Sequence, residues 1–274
     1  MSQKATTQKD RAERLKALHA LDKPLVIPNP YDRGTARLLE GLGFDALASS
    51  SAGYAYSIGT LDNRVGRDAM LAHIAEIVEA TSLPVNADLE NGWGDAPEAV
   101  AETIRLGIAA GLAGGSIEDM TPDRSLYPID MAKARIEAAA EVAHGGEVSF
   151  VLTARAENYL VGDRNLSAVI ERLQAYQDAG ADVLYAPGLT DIDEIAELVR
   201  SVDRPVNVLA GLPGHALTVD QLAAAGVKRI STGSALAVAA LGGFLKAAKE
   251  IRDQGSFTFT NDDPPYGDLT KLLG

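Results

Sequence analysis

Two carboxylates that could bind a metal ion, Asp88 and Glu90, lie two residues apart in the sequence. They follow an apolar run at residues 83–85 that predicts a buried strand. Because residues i and i+2 of an extended strand point to the same side, we expect both side chains to converge on one site. Mg²⁺ prefers such oxygen ligands and keeps several waters. The alternative is an ordinary acidic loop in which Asp95 only caps the next helix.

Other polar residues also follow apolar runs, at points where strands are expected to end. Facing carboxylates raise each other's pKa unless a cation lies among them, which favours a divalent metal. The Arg155 guanidinium is suited to a substrate carboxylate. In chain order the strand-end residues are Asn29, Ser49, Ser50, Ser51, Asp88, Glu90, Glu118, Asp119, Arg155, Glu157, Asn207 and Ser231. We interpret Asn207 as a substrate-binding residue of this set.

Several of these residues have a purely structural alternative. Glu118 could form an ion pair with Arg155 across the strand ends. The serines at 49–51 could be turn or helix-capping residues. Asp62 could be an ordinary loop acid.

The elements that would position these residues alternate along the chain. Apolar runs predict eight strands, and a helix follows each of them, as expected for a parallel sheet closed into a (β/α)₈ TIM-type barrel. An open doubly wound sheet is the alternative, but a glycine-rich fingerprint does not follow the first strand, and a P-loop lysine motif is absent from the sequence. The predicted strands are 24–28, 44–48, 83–88, 115–119, 148–154, 181–185, 206–209 and 228–231, and the predicted helices are 8–21, 32–39, 66–80, 96–110, 129–143, 165–179, 191–201, 219–225 and 234–253.

Composition excludes several classes of function. The 274 residues include no cysteine, so disulfides, thiolate metal sites and cysteine catalysis are excluded. A net charge of -13 argues against nucleic-acid or anionic-membrane partners. The polar N-terminal segment and the absence of long apolar runs predict a cytoplasmic protein. We expect one domain over residues 1–274, with residues 262–274 as an appendage.

Four motifs resemble those of the isocitrate lyase/phosphoenolpyruvate mutase superfamily, over about residues 10–255. The combination of the second and third motifs is fairly specific. The motifs are Ser50-Ser51-Ala52 with Asp62 following, Asp88-Leu89-Glu90-Asn91-Gly92-Trp93-Gly94, Ser116-Ile117-Glu118-Asp119, and Ala154-Arg155-Ala156-Glu157.

This resemblance implies a barrel whose last helix is swapped between subunits, usually in a tetramer built as a dimer of dimers. It implies Mg²⁺ as cofactor, with Mn²⁺ as an alternative, and a small carboxylic acid as substrate. The implied metal site consists of Asp88, with Asp62, Glu90 and Glu118 contacting the ion mainly through its waters. The implied catalytic residues are Asp62, Glu118 and Arg155, and the implied substrate-binding residues are Ser50, Ser51, Ala52 and Arg155.

The sequence also departs from the established members of this superfamily. The loop at residues 120–128 lacks the cysteine and histidine of the isocitrate and methylisocitrate lyases, and also the lysine and asparagine of the phosphonate-forming mutases. We therefore expect a Mg²⁺-dependent lyase that cleaves a C–C bond of a 2-oxo or 2-hydroxy acid through a metal-stabilised enolate. Asp123, Arg124 or Tyr127 could take over the role of the missing loop acid. The alternatives are P–C bond chemistry, as in phosphoenolpyruvate mutase or phosphonopyruvate hydrolase, and a non-catalytic barrel that binds a 2-oxo acid.

Overall fold

The computed structural model of the chain describes residues 6–262 and 266–273, and these residues form a (β/α)₈ barrel. Eight parallel strands make one sheet in this part of the chain, with the order β1-β8-β7-β6-β5-β4-β3-β2. The predicted fold class is therefore confirmed. The strands are β1 Leu25–Ile27, β2 Leu47–Ala48, β3 Val85–Asp88, β4 Gly114–Glu118, β5 Val151–Arg155, β6 Val183–Tyr185, β7 Val206–Leu209 and β8 Arg229–Ser231.

The barrel closes between its first two strands through bonds just beyond β1. The Ala48 amide donates to the Pro28 carbonyl at 3.0 Å. The Asn29 side-chain amide then donates to the Ser49 carbonyl at 2.7 Å. Asn29 Oδ1 also accepts from the backbone of Thr232, after β8. One asparagine therefore ties together the strand ends on both sides of the seam.

Helices follow the strands as expected, and two helices, Ser51–Ser57 and Tyr266–Leu273, were not predicted from the sequence. Residues expected to form a loop after β2 begin a short helix, because Ser50 Oγ accepts from the Gly53 amide and caps it. The alternative in which Asp95 caps the helix after β3 is wrong, because the N-cap residue of that helix is Ala96 and no side chain caps it. The helices are α1 Gln8–Leu18, α2 Arg33–Gly41, α3 Ser51–Ser57, α4 Arg67–Ala80, α5 Pro97–Ala109, α6 Ile129–His144, α7 Leu166–Asp178, α8 Ile192–Arg200, α9 Val219–Ala224, α10 Ala235–Gln254 and α11 Tyr266–Leu273, with 3₁₀ turns at Asn158–Val161 and Thr258–Asp262.

The N-terminal end of the barrel, called the base below, is closed by an apolar plug. Ala12 and Leu15 of α1 are fully buried against inward-facing residues of the strands, including Leu25, Val151 and Val183. A larger apolar cluster fills the layer between the strands and the outer helices. The α1 helix therefore seals the barrel opposite the end at which the strand-end polar residues lie.

The C-terminal helices behave differently from those around the barrel. Ala237 is the buried residue of α10, whereas Val238, Phe244 and Leu245 are more than half exposed. The short α11 packs on α2, where a Cβ added to Gly41 would lie 2.9 Å from Leu272. The expected appendage thus covers its own barrel through α11, and the expectations for residues 1–5, 263–265 and 274 lie outside the described residues.

No helix in residues 6–262 or 266–273 combines the length and the apolar character needed to cross a membrane. The location in the cell and the single domain over residues 1–274 stay predictions.

Candidate active site at the barrel mouth

A cavity of about 200 Å³ lies at the C-terminal ends of the strands, and we call it the mouth cavity. A second cavity of about 590 Å³ opens beside it and shares part of its wall. Most of the residues singled out from the sequence line the mouth cavity. They are Asn29, Ser49, Ser50, Ser51, Ala52, Asp62, Asp88, Glu118, Arg155, Glu157 and Ser231.

Arg155, at the end of β5, is the centre of the site. Its Nη1 lies 2.9 Å from Asp88 Oδ1, its Nη2 lies 3.0 Å from Glu118 Oε2, and its Nε lies 2.8 Å from Glu157 Oε1. The ion pair with Glu118 that was considered as a structural alternative is therefore present. It is one of three, so a single guanidinium is surrounded by carboxylates from the ends of β3 and β4 and from the segment that follows β5.

Asp88 connects this ion-pair cluster to the serine segment. Its Oδ2 accepts from Ser51 Oγ at 2.9 Å, and its backbone amide donates to Ser49 Oγ at 3.0 Å. The strand ends at Asp88, and Glu90 has a φ of 46°. We expected Asp88 and Glu90 to converge because they would be alternate residues of one strand, and this reason is wrong. Glu90 lies after the strand, and a left-handed backbone conformation sets the direction of its side chain.

The carboxylates of the mouth outnumber its cations, and their pKa values reflect this. Burial, followed by repulsion from Asp88 and Asp62, raises the pKa of Glu90 to about 8. Burial also raises the pKa of Glu118 well above its usual range, against the opposing attraction of Arg155. Burial and the Asp88 charge raise the pKa of Asp62. Each of these groups would ionise more readily beside an added cation.

The donor set fits a hard cation, because it includes buried carboxylate oxygens without a hydrogen-bond partner. Asp62 Oδ1 and Glu90 Oε1 are buried without a hydrogen-bond partner. Within the described residues, no group of three or more acidic or histidine side chains is arranged to hold a metal ion directly. Mg²⁺ commonly binds through one or two carboxylates and several waters, which is the arrangement that this geometry allows.

Two predicted substrate-binding positions differ from expectation in their surroundings. Asn207 does not line the mouth cavity; its Nδ2 donates to Ser231 Oγ at 2.9 Å, and Ser231 lines it. Ser50 both lines the cavity and caps α3, so its capping alternative also holds. Their roles in binding substrate stay predictions.

The three candidates for the missing loop acid are placed very differently. Arg124 lines both cavities and has a φ of 65°. Asp123 is fully exposed and accepts from Thr121 and Ser125 within its own loop. The Tyr127 hydroxyl donates to Asp95 at 2.6 Å, away from the mouth cavity. Arg124 is thus the candidate among the three that could contact a substrate there.

A network behind the mouth holds Glu157 in place. The Glu157 amide donates to Asp119 Oδ1 at 2.8 Å, and Asp119 Oδ2 accepts from Tyr176 at 2.5 Å and from Arg172 at 3.1 Å. The sequence of α7 gave no signal of this contact. Sequence reasoning also missed Arg229, a buried arginine that lines the mouth cavity, because it lies at the start of a strand rather than at its end.

Comparison with known proteins identifies one family. The model of the family described as phosphoenolpyruvate phosphomutase matches residues 15–252. The 2-methylisocitrate lyase of Shewanella oneidensis is 32% identical over 68% of this chain and 66% of its own length. The oxaloacetate decarboxylase of Chromohalobacter salexigens is 28% identical over 90% of this chain and 87% of its own length.

Solved structures agree with this result. A protein of Burkholderia cenocepacia J2315 that is described provisionally as a lyase/mutase is 56% identical, with a TM-score of 0.95 over 97% of this chain and 96% of that one. A phosphonopyruvate hydrolase in complex with oxalate and Mg²⁺ has a TM-score of 0.84 at 24% identity, over 98% and 95% of the two chains. At that identity the second match shows the fold alone.

Proposed function

Because the chain belongs to the phosphoenolpyruvate phosphomutase family, we propose that it is a Mg²⁺-dependent lyase that cleaves a C–C bond of a small 2-oxo or 2-hydroxy di- or tricarboxylic acid. One observation carries the proposal: Asp88, Glu118 and Glu157 surround the Arg155 guanidinium at the mouth cavity, and two more carboxylates, Asp62 and Glu90, lie close enough to be repelled by Asp88. This excess of negative charge suits a divalent cation, and the cavity size suits a small acid.

In this proposal Asp88 would hold the metal, and Glu90 and Glu118 would contact it mainly through its waters. When bound, Mg²⁺ supplies positive charge beside the substrate oxygen that becomes negative as the bond breaks. Arg155 orients the substrate carboxylate, and the segment Ser50 to Ala52 donates hydrogen bonds to the same end. Asp62, whose pKa is raised by burial, is suited to holding a proton within the site.

The proton for the departing product needs a donor other than cysteine, because the sequence has none. An arginine guanidinium is a cation with five N–H donors, so Arg124 is suited to binding an anionic product rather than to acting as the acid. We therefore infer that Arg124 binds product at the rim and that a buried carboxylic acid, with Asp62 the candidate, supplies the proton.

The decisive experiment is a turnover panel with oxaloacetate, substituted malates and methylisocitrate, with Mg²⁺ and with EDTA. We expect Mg²⁺-dependent release of a 2-oxo acid from at least one substrate, and its loss in Asp88→Ala. Lys228→Met, which removes a charge outside the barrel, is the matched control and should retain activity. If no acid is turned over but one binds saturably in calorimetry, the protein is a binding barrel and the lyase proposal fails.

P–C bond chemistry is a second candidate, favoured by one observation. The Arg124 guanidinium lines the mouth cavity, where it could meet a phosphoryl group. ³¹P NMR of phosphonopyruvate incubated with the protein and Mg²⁺ separates the candidates. Formation of inorganic phosphate or phosphoenolpyruvate would support P–C chemistry, whereas unchanged phosphonopyruvate would remove it.

We also propose that the protein assembles through α10, in a dimer of dimers. The support is the exposed apolar side chains of this helix, which include Phe244 and Leu245. Light scattering should give an oligomer for the native chain and a smaller species for Phe244→Glu. A native monomer would contradict this proposal.

A further inference from the structure

Arg229 is a buried arginine inside the barrel with incomplete hydrogen bonding. It is 3% exposed and begins β8. Its Nη1 donates to Thr153 Oγ1 at 2.9 Å and to Asn86 Oδ1 at a long 3.4 Å. Its Nε is buried and has no hydrogen-bond partner. Both of its acceptors are neutral.

This guanidinium also lacks a counter-ion. Among the ion pairs of the described residues, none includes Arg229. Burial lowers its pKa to about 10, and Tyr185 is the group whose charge acts in the opposite direction. Unpaired buried charges are unfavourable, so proteins commonly pair them or use them. Arg155 differs, because each of its three nitrogen atoms already faces a carboxylate, and only the second N–H groups of Nη1 and Nη2 are left for a substrate.

The position of Arg229 is one level below the ion-pair cluster. Thr153 precedes Arg155 by two residues on β5, and Asn86 precedes Asp88 by two on β3. Alternate residues of a strand share a face and lie about 6.6 Å apart. Arg229 also lines the mouth cavity, so it forms the floor of the cavity beneath Arg155. Barrel interiors usually carry branched apolar side chains at this depth.

We propose that Arg229 is a specificity-determining residue that binds the second carboxylate of a diacid substrate at the floor of the mouth cavity. This inference rests on the proposed lyase function and narrows its substrate class. A carboxylate bound to a cation is stabilised against loss as neutral CO₂. The bond that breaks is therefore one other than the bond to this carboxylate, which stays in a product.

The test uses two ligands that differ in this group alone. Malate and 2-hydroxybutanoate share the hydroxy acid end, and the second has a methyl group in place of the distal carboxylate. Calorimetric binding with Mg²⁺ present is measured for the native chain, Arg229→Met, Arg229→Lys and Lys228→Met. Lys228 is the neighbour of Arg229, and its Nζ donates to the Leu21 carbonyl outside the barrel, so its substitution removes one charge elsewhere.

The native chain should bind malate more tightly than 2-hydroxybutanoate. Arg229→Met should weaken malate binding about 10- to 100-fold, which is the scale of one lost charge-assisted contact, and change 2-hydroxybutanoate binding less than twofold. Arg229→Lys should keep part of the preference for malate. Lys228→Met should change neither ligand. The melting temperature of Arg229→Met without ligand should be unchanged or raised, because an unpaired buried charge is removed.

Two results would overturn the inference. One is equal binding of both acids by the native chain. The other is evidence that Arg229 supports the barrel itself. This would be an equal loss of affinity for both ligands in Arg229→Met, or a lower melting temperature of that variant. These results differ from failure of the proposed function, which would leave the malate preference intact while no acid is cleaved.

Discussion

The two ends of the barrel follow opposite chemistry. At the base, Ala12 and Leu15 of α1 close the strands with apolar side chains that are fully buried. At the mouth, Glu118 and Glu157 are almost as deeply buried, yet both are carboxylates that share Arg155. Burial of apolar surface stabilises a fold, whereas burial of excess charge does not. The base is therefore arranged for stability and the mouth for binding.

The largest expected effect is that of Asp88→Asn, a change at the mouth that should remove activity without lowering the stability of the fold. The amide keeps the shape of Asp88 but removes the charge that faces Arg155 and, in our proposal, the metal. We expect kcat/KM for the acid that is turned over to fall about 10³-fold. Urea unfolding in EDTA should show no loss of stability, since repulsion of Glu90 is relieved. If Asp88→Asn is active but has a lower free energy of unfolding, Asp88 stabilises the fold and does not serve the chemistry.

The complementary change at the base is Leu15→Ala, which should weaken the fold and spare the chemistry. Leu15 is fully buried, and truncation of such a leucine costs about 2–5 kcal/mol in free energy of unfolding. The expected result is a lower urea midpoint, with kcat/KM for the folded protein within about twofold of the native value. A selective loss of kcat/KM would show that the base reaches the mouth cavity through the barrel interior.

The third prediction concerns pH, to which the two ends should respond in opposite directions. At the mouth, the pKa of Glu90 is raised to about 8 by burial, Asp88 and Asp62. At the base, the pKa of His19 is lowered to about 4 by burial and Arg229, against Asp182 and the bond to Leu15. Glu90 binds its proton more tightly in the folded state, so its contribution is lost as pH rises from about 4.5 to 8. His19 binds its proton less tightly when folded, so its contribution is lost as pH falls from about 6.5 to 4.

Stability of the metal-free protein should therefore fall between about pH 6.5 and 8, where the raised pKa values of Glu90, Glu118 and Glu157 all act in the same direction and the His19 contribution no longer changes. Urea unfolding across this range checks the prediction. Glu90→Gln should make the decline smaller, since Glu118 and Glu157 remain, and Mg²⁺ should also reduce it because the metal binds the ionised carboxylates. His19→Gln should alter the curve below pH 6.5 and leave the decline above it. A flat native curve would contradict the pKa of Glu90.

The same contrast explains which features the sequence could predict. Apolar runs and the glycines that end helices gave all eight strands, and polar residues at strand ends gave the ion-pair cluster around Arg155. The left-handed turn at Glu90 could not be predicted, because a carboxylate in that conformation has no local sequence signal. Arg229 was missed for another reason: in a strand of three residues, the inward-facing side is set by the register of neighbouring strands.

The smallest expected effect tests whether the mouth depends on the buried network behind it. Tyr176→Phe removes the hydroxyl that donates to Asp119, whose other oxygen holds the Glu157 amide. We expect a loss of about 1 kcal/mol in unfolding free energy, as for one hydrogen bond. Because Glu157 fixes Arg155, substrate KM should rise a few-fold, whereas kcat should change less.

Tyr159→Phe is the matched control for that variant, since it also removes a tyrosine hydroxyl that donates to a carboxylate, that of Glu194 at 2.9 Å. This bond lies away from Arg155, so a similar small loss of stability should occur with no change in KM. If both variants alter KM alike, the effect belongs to the fold in general and the network does not position Glu157. If only Tyr176→Phe raises KM, residues in the outer helix layer, here Tyr176 of α7, contribute to substrate binding by positioning Glu157.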